Sequence, residues 1–238
     1  GNVALLKHAP NTCGCALAIE ALFVEAGYRQ GVLRALLIEI NQVESVIEHD
    51  AVQGVALTGS DKAGAAVAAL AGRAIKKTVL ELGGSDPYII CEDADLDLAA
   101  KKCVQSRLNN CGQTCISAKR LLVHRSVLEA FTEKVLNEIA QRRQGDPVVE
   151  ANDLGPMARA DLLVNLQRQV DASVAAGARL LLGGETPQDV GLFYPPSVLT
   201  DVRPGMPAFD EEVFGPVVTL IPVADDAEAL VLANQSAY

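Results

Sequence analysis

The stretch NNCGQTCISAKR (109–120) places two cysteines, Cys111 and Cys115, four residues apart among short polar side chains and a glycine. A thiol attacks carbon only as its thiolate, and an ordinary cysteine with a pKa near ~8.5 needs help to ionise at neutral pH. Cys115 follows Gly112-Gln113-Thr114 and precedes the apolar run Leu121-Leu122-Val123, so it is expected on a turn before a strand. Backbone N–H groups of such a turn, or a bound cationic cofactor ring, would favour the thiolate. Cys111 is expected at a helix end or turn, where it shapes the loop. Cys13, Cys15, Cys91 and Cys103 read as small core residues. Six cysteines in 238 residues are too sparse for a disulfide framework, so reduced thiols are expected. Zinc would need a second cysteine pair at ligand spacing or histidines near one, and His8, His49 and His124 stand alone, so no metal site is expected.

Three further features have chemical potential. Glu81 lies between leucines in TVLELGG, where a strand should be buried. A buried carboxylate has a raised pKa and suits a general base; the competing reading is a solvated strand face. LTGSDKAG carries Gly59 and Gly64 on either side of a four-residue loop that leads into a helix. Its backbone can approach a phosphate, and Thr58 or Ser60 can offer a hydroxyl, although many glycine turns of this kind are only structural. The G-x-G-x-x-G fingerprint is absent, so an ordinary dinucleotide site is not supported. Lys7, at the end of the first strand pattern, is placed either to hold a ribose hydroxyl or phosphate or simply to be solvated.

The elements that must position these residues alternate between apolar runs and helical periodicity. Helical patterns cover 12–26, 41–50, 62–74, the stretch up to Leu108 after a cap at Asp93 or Asp95, 126–143 and 158–177. Strand patterns include 54–60, 77–84, 86–91, KRLLVH, a buried run at 178–184, and two late runs broken by Pro and Gly. This alternation implies an α/β fold with a mainly parallel sheet, whose strand carboxyl ends are the expected ligand edge. Two lobes are expected to meet near Gly83-Gly84, giving 1–84 and 85–238.

A net charge of −10 argues against nucleic acid or an anionic membrane as partner, since both require clustered Lys and Arg and the basic residues here are scattered. No apolar run approaches the ~20 residues of a bilayer span, and the given sequence does not open on the charged start and apolar stretch that mark a secretion signal. Both ends fall inside structural patterns, so an internal fragment is expected.

In their order along the chain these motifs resemble the aldehyde dehydrogenase superfamily over essentially the whole length. GNVALLKHAP resembles the first cofactor-domain strand, with Lys7 at the adenosine-ribose contact. LTGSDKAG resembles the phosphate loop, ELGGSDP the general-base motif with Glu81 and its neighbour Leu82, and GQTCISAKR the nucleophile motif with Cys115. EEVFGPV resembles the motif whose Glu212 and Phe214 hold the nicotinamide ribose and ring. KHAPN with ELGGSDP is most similar to the succinate-semialdehyde dehydrogenases of the bacterial Sad type. The resemblance implies an aldehyde-dehydrogenase-like fold, in which 1–84 is the C-terminal part of an NAD(P)-binding domain and 85–238 a truncated catalytic domain. It also implies NAD or NADP as cofactor and a small aldehyde substrate, succinate semialdehyde or similar. Cys115 would form the thiohemiacetal and thioester, and Glu81 would activate water. A family asparagine that completes the oxyanion site would lie upstream of residue 1. The implied full-length protein is a cytoplasmic homo-oligomer.

The sequence departs from the family in several places. His8, Pro10 and Arg29 differ from the family pattern at the adenine end, so NAD against NADP stays open. The substrate-carboxylate arginine expected six before the cysteine is Asn109, with Arg107 two residues earlier as the alternative. Two other readings remain: a silent or truncated homologue acting as a binding or assembly module, and a thiol hydrolase pairing Cys115 with His124.

Overall fold

The computed structural model describes residues 1–185 and 191–238. They form two compact units, Gly1–Leu82 and Gly83–Tyr238.

The first unit is built from two parallel strand pairs with helical crossovers. β1 (Ala4–Leu6) leads through α1 (Cys13–Glu25) to β2 (Leu33–Ala35), in register Ala4↔Leu33 to Leu6↔Ala35. Glu20 on α1 fastens that crossover, accepting from the Ala35 backbone N–H and from Arg34, both at 2.7 Å. A short α2 (Val43–Glu48) precedes β3 (Gly54–Thr58), α3 (Asp61–Arg73) and β4 (Lys77–Glu81). α3 begins where Ser60 caps it: the Oγ accepts from the Ala63 N–H at 3.3 Å, satisfying one of the helix's otherwise unpaired donors.

The second unit carries a five-stranded sheet in the order β5-β6-β9-β8-β7, where β5 is Pro87–Ile90, β6 Arg120–His124, β7 Arg179–Leu182, β8 Ser197–Thr200 and β9 Val217–Val223. All neighbours are parallel except β7 and β8. The continuous apolar runs of β6 and β9 are buried, as central parallel strands covered on both faces must be. α4 (Leu96–Leu108), α5 (Leu128–Ala140), α6 (Ala160–Ala175), the short α7 (Pro207–Asp210) and α8 (Asp226–Asn234) complete the unit. Asp95 caps α4 by accepting from the Leu98 N–H. α5 buries Phe131, Val135 and Ile139, spaced four apart on one face. The expected buried strand at 178–184 is instead the sheet edge: Leu180 and Leu182 are exposed because β7 pairs on one side only.

Candidate active site

In the second unit the chemistry-bearing motifs lie before three adjacent parallel strands. Gly83-Gly84-Ser85 precedes β5, the Cys115 turn precedes β6, and Glu212 to Phe214 precede β9. Parallel alignment therefore brings them to one edge, the amino edge. In the first unit the candidates occupy the opposite kind of edge, with Lys7 following β1, Gly59 and Ser60 following β3, and Glu81 closing β4. The expectation of carboxyl-end chemistry thus describes the first unit and is corrected for the second.

Cys115 is exposed, on a turn closed by the Ser117 N–H donating to the Thr114 carbonyl at 3.3 Å. Just upstream the chain turns through left-handed backbone at Asn110 (φ 51), Cys111 (φ 55) and Gly112 (φ 72). Gly112 is obligatory here, because a Cβ would collide with the Gly215 carbonyl. Gln113 fixes the next residue outward: its Oε1 accepts from the Ala158 N–H at 2.9 Å. Cys111 is buried, and burial pushes its thiol up to about 11. Cys103, likewise buried, is pushed up to about 12. All six cysteines are free.

Lys119 holds the motifs to one another. Its side chain is 1% exposed, and Nζ donates to the Gly84 carbonyl at 2.6 Å, to the Cys115 carbonyl at 2.9 Å and to Glu212 Oε1. The same carboxylate oxygen accepts from the Gly84 N–H at 3.2 Å, and a Cβ on Gly83 would collide with the other oxygen. Nζ lies 5.8 Å from the Phe214 ring centroid, a cation–π distance. Burial lowers the Lys119 pKa, while its hydrogen bond to Glu212 and that group's charge oppose the shift.

Arg107 is corrected. It is fully buried because α4 presents Ala100, Cys103, Val104, Arg107 and Leu108 as one inward stripe. Its guanidinium donates to Ser117 Oγ and to the Val213, Gly215 and Val217 carbonyls, each at 2.6 Å. Burial lowers its pKa to about 10, opposed by the charge of Glu212. A guanidinium so enclosed, with four of its five N–H groups bonded inside the protein, cannot grip a substrate carboxylate. Asn109 is exposed, and its carbonyl accepts from the Thr114 hydroxyl at 3.3 Å.

In the first unit, register pairs Thr58 with Glu81, and the Gly59 N–H donates to the Glu81 carbonyl at 3.0 Å. The phosphate-loop and general-base candidates are therefore adjacent strand ends. Glu81 is exposed, against the expected burial: strand alternation turns half-buried Leu80 toward one face and Glu81 toward the other. Gly64 is also corrected. It lies inside α3 rather than closing a loop, buried so close to Leu82 that a Cβ would come within 2.6 Å of Cδ2. Lys7, half-buried, donates to the His8 carbonyl at 3.1 Å and belongs to the other strand pair.

Within each unit taken by itself the donor chemistry suits part of a nucleotide cofactor. A lysine and a serine-capped helix N-terminus suit phosphate or ribose, and a carboxylate beside an aromatic ring suits ribose hydroxyls and a planar ring. Among the described residues no group of three or more His, Cys, Asp or Glu could hold a metal ion, and no helix is long and apolar enough to cross a membrane.

The sequence pattern of the aldehyde dehydrogenase family matches residues 1–238. The chain belongs to this family. It is 51% identical over its whole length to the succinate semialdehyde dehydrogenase (NAD(P)+) Sad of Escherichia coli strain K12, covering 52% of that protein. A probable succinate-semialdehyde dehydrogenase (NADP(+)) of Synechocystis is 46% identical, with 98% of this chain and 52% of that protein covered. Among solved structures, the succinic semialdehyde dehydrogenase of Streptococcus pyogenes, in complex with NADP+, superposes with a TM-score of 0.96 at 37% identity. It covers all of this chain and 52% of that one. The chain spans about half the length of the curated relatives it matches. The aldehyde dehydrogenase fold expected from the motifs is thus the fold of this chain.

Lys119 escaped the sequence reading. In KRLLVH it looks like a strand-edge lysine, and its partner Glu212 lies 93 residues away. The one available signal was a lysine placed four residues after a candidate nucleophile, where its ammonium can reach that residue's own carbonyl.

Proposed function

We propose that the full-length protein carrying this chain oxidises a small aldehyde, succinate semialdehyde or a close analogue, to its carboxylic acid with NAD or NADP. The names of the relatives favour NADP. One observation carries the reading: an exposed cysteine on a rigid turn has its own carbonyl tied, through Lys119, to Glu212 beside Phe214.

The Cys115 thiolate adds to the aldehyde carbon, forming a C–S bond and an oxyanion. The Cys115 backbone N–H is the proposed donor to that oxyanion. The bound nicotinamide supplies the acceptor for the aldehyde hydride. As the carbonyl re-forms, Cys115 carries a thioester. Glu81 takes a proton from water, the resulting hydroxide displaces sulfur, and the acid leaves with the thiolate restored. The exposure of Glu81 supports this role, because water must reach it. Lys7, Thr58, Gly59 and Ser60 would hold the adenosine and phosphate side of the cofactor, with Gly64 and Leu82 packed against each other beneath them. Glu212 and Phe214 hold the nicotinamide ribose and ring. Asn109 stays a candidate substrate contact. The protein works as a cytoplasmic homo-oligomer on a small molecule, with no nucleic acid or membrane partner.

The competing thiol hydrolase is disfavoured by topology. Cys115 precedes β6 and His124 ends it, so the strand alone separates their ends by roughly 13 Å at about 3.3 Å per residue. His124 Nδ1 instead pairs with Ser126 Oγ at 2.7 Å.

The test is aldehyde-dependent reduction of NAD or NADP by the full-length protein, followed by absorbance. Cys115→Ser should abolish it, and Glu81→Gln should leave one burst of reduced cofactor without turnover. Full activity in Cys115→Ser would remove the nucleophile assignment. A wild-type protein without activity toward any aldehyde would support the silent binding module instead.

A further inference from the structure

We propose that Lys119 is a positioning residue that locks the nucleophile turn to the ribose-binding carboxylate, making cofactor placement and cysteine presentation one mechanical unit. This rests on the reading of Cys115 and Glu212 given above.

An ammonium has three donors and no acceptor. Lys119 spends all three on three separate segments: the Gly84 carbonyl before β5, the Cys115 carbonyl before β6, and Glu212 before β9. Gly84 is held twice, its carbonyl by Lys119 and its N–H by the Glu212 oxygen that Lys119 also contacts. The ring closes through the nucleophile residue itself, since the bonded carbonyl is that of Cys115. A Cβ on Gly84 would stand 3.2 Å from the same carbonyl oxygen, so the turn and the double glycine are already in close approach. From below, the Lys119 carbonyl accepts from Thr219 Oγ1 on central strand β9. The lysine is therefore fixed at its backbone as well as at its tip.

A buried ion pair is weak evidence for stability, because an apolar pair of similar volume often serves as well. What an apolar pair cannot do is orient. Without Nζ, the Glu212 carboxylate could rotate off the Gly83-Gly84 peptide, and the Cys115 carbonyl would lose the contact that stops its turn from relaxing toward solvent. Lys119 touches neither substrate nor cofactor in this account. It acts through Glu212 on cofactor binding and through the Cys115 backbone on the chemical step.

The experiment uses the full-length protein and the variants Glu212→Gln, Lys119→Met and the double variant. Lys119→Met alone leaves a partly buried carboxylate unpaired and is the variant most exposed to misfolding. The double variant removes both charges and keeps the side-chain shapes, so it carries the test. Glu212→Gln should raise the cofactor KM and hold the aldehyde KM within about twofold. Adding Lys119→Met should leave the cofactor KM within about twofold of Glu212→Gln and lower kcat about tenfold or more, as a misplaced nucleophile does. A double variant with the kcat of Glu212→Gln, or with cofactor KM losses that multiply as independent effects, overturns the proposal. The functional reading fails separately: wild-type protein without aldehyde-dependent activity, or Cys115→Ser retaining it, would sink that reading whatever the Lys119 variants do.

Discussion

Arg107 Nε donates to the Val217 carbonyl oxygen at 2.6 Å, joining α4 to the first residue of β9 from 110 residues away in sequence. The remaining guanidinium donors take Ser117, Val213 and Gly215, so one side chain spans the helix, the nucleophile turn and the approach to the central strand. A planar fork spreads five N–H donors over three nitrogens and reaches these four acceptors, whereas a lysine has only three donors on one nitrogen. Replacing Arg107 by Met should leave buried carbonyls unsatisfied and cost on the order of 3–5 kcal/mol, and Arg107→Lys should recover little of it. Urea midpoints would measure both. A loss of turnover confined to carboxylate-bearing aldehydes, with unchanged stability, would restore Arg107 as a substrate residue.

Gly112 should tolerate no side chain. Its φ of +72 disfavours any L residue, and the Cβ would meet the Gly215 backbone, which cannot move aside as a side-chain tip can. Left-handed strain of about 1–2 kcal/mol and overpacking of about 1–3 kcal/mol act together in Gly112→Ala. The expected result is a large drop in the urea midpoint with loss of Cys115 reactivity. A Gly112→Ala protein of wild-type stability would show that the turn is looser than its contacts imply.

The local features of this chain were legible because neighbours in sequence decide them. Asp95 caps α4 three residues before its partner N–H, and Ser60 caps α3 in the same way. The five-strand core followed from unbroken apolar runs such as Leu121-Leu122-Val123. Pairings across many residues were not legible: Lys119 with Glu212, and Arg107 with Val213, Gly215 and Val217, have no local signature. Glu81 misled for a different reason. Two flanking leucines suggested a buried strand, whereas among the described residues β4 pairs with β3 alone and turns Glu81 outward. That Cys115 precedes a strand was legible, but that the loops before β5 and β9 meet it at that edge was not, since strand order decides which loops meet and composition does not record it.

The cap at Ser60 permits a separation of fold from binding. Ser60→Ala should lower stability by about 1 kcal/mol, and Ser60→Gly by only a few tenths. If the hydroxyl also serves a cofactor phosphate, both variants should raise the cofactor KM to a similar degree despite that difference. Denaturant titration beside cofactor kinetics reads the two effects apart. A cofactor KM that follows stability, worse in Ala than in Gly, would confine Ser60 to capping.

The buried thiols give the folded chain a defined alkaline limit. In the folded state Cys111 and Cys103 are pushed by burial from 9.0 to about 11 and about 12 respectively. Below pH 9 both folded and unfolded chains keep these protons, so the contribution to stability is fully present. Between pH 9 and the folded values the unfolded chain ionises first and binds fewer protons. Stability therefore falls as pH rises, by about 1.4 kcal/mol per pH unit for each thiol across its window. Cys103→Ala should flatten the decline in urea midpoint between pH 9 and 11 relative to wild type. In the same range, exposed Cys115 and Cys15 should react with a disulfide reagent at once, and Cys103 and Cys111 only after denaturant is added. Rapid modification of Cys111 in the folded protein would mean that the turn opens far more often than its close packing against Gly215 allows, and an unchanged slope in Cys103→Ala would mean that α4 does not keep that thiol desolvated.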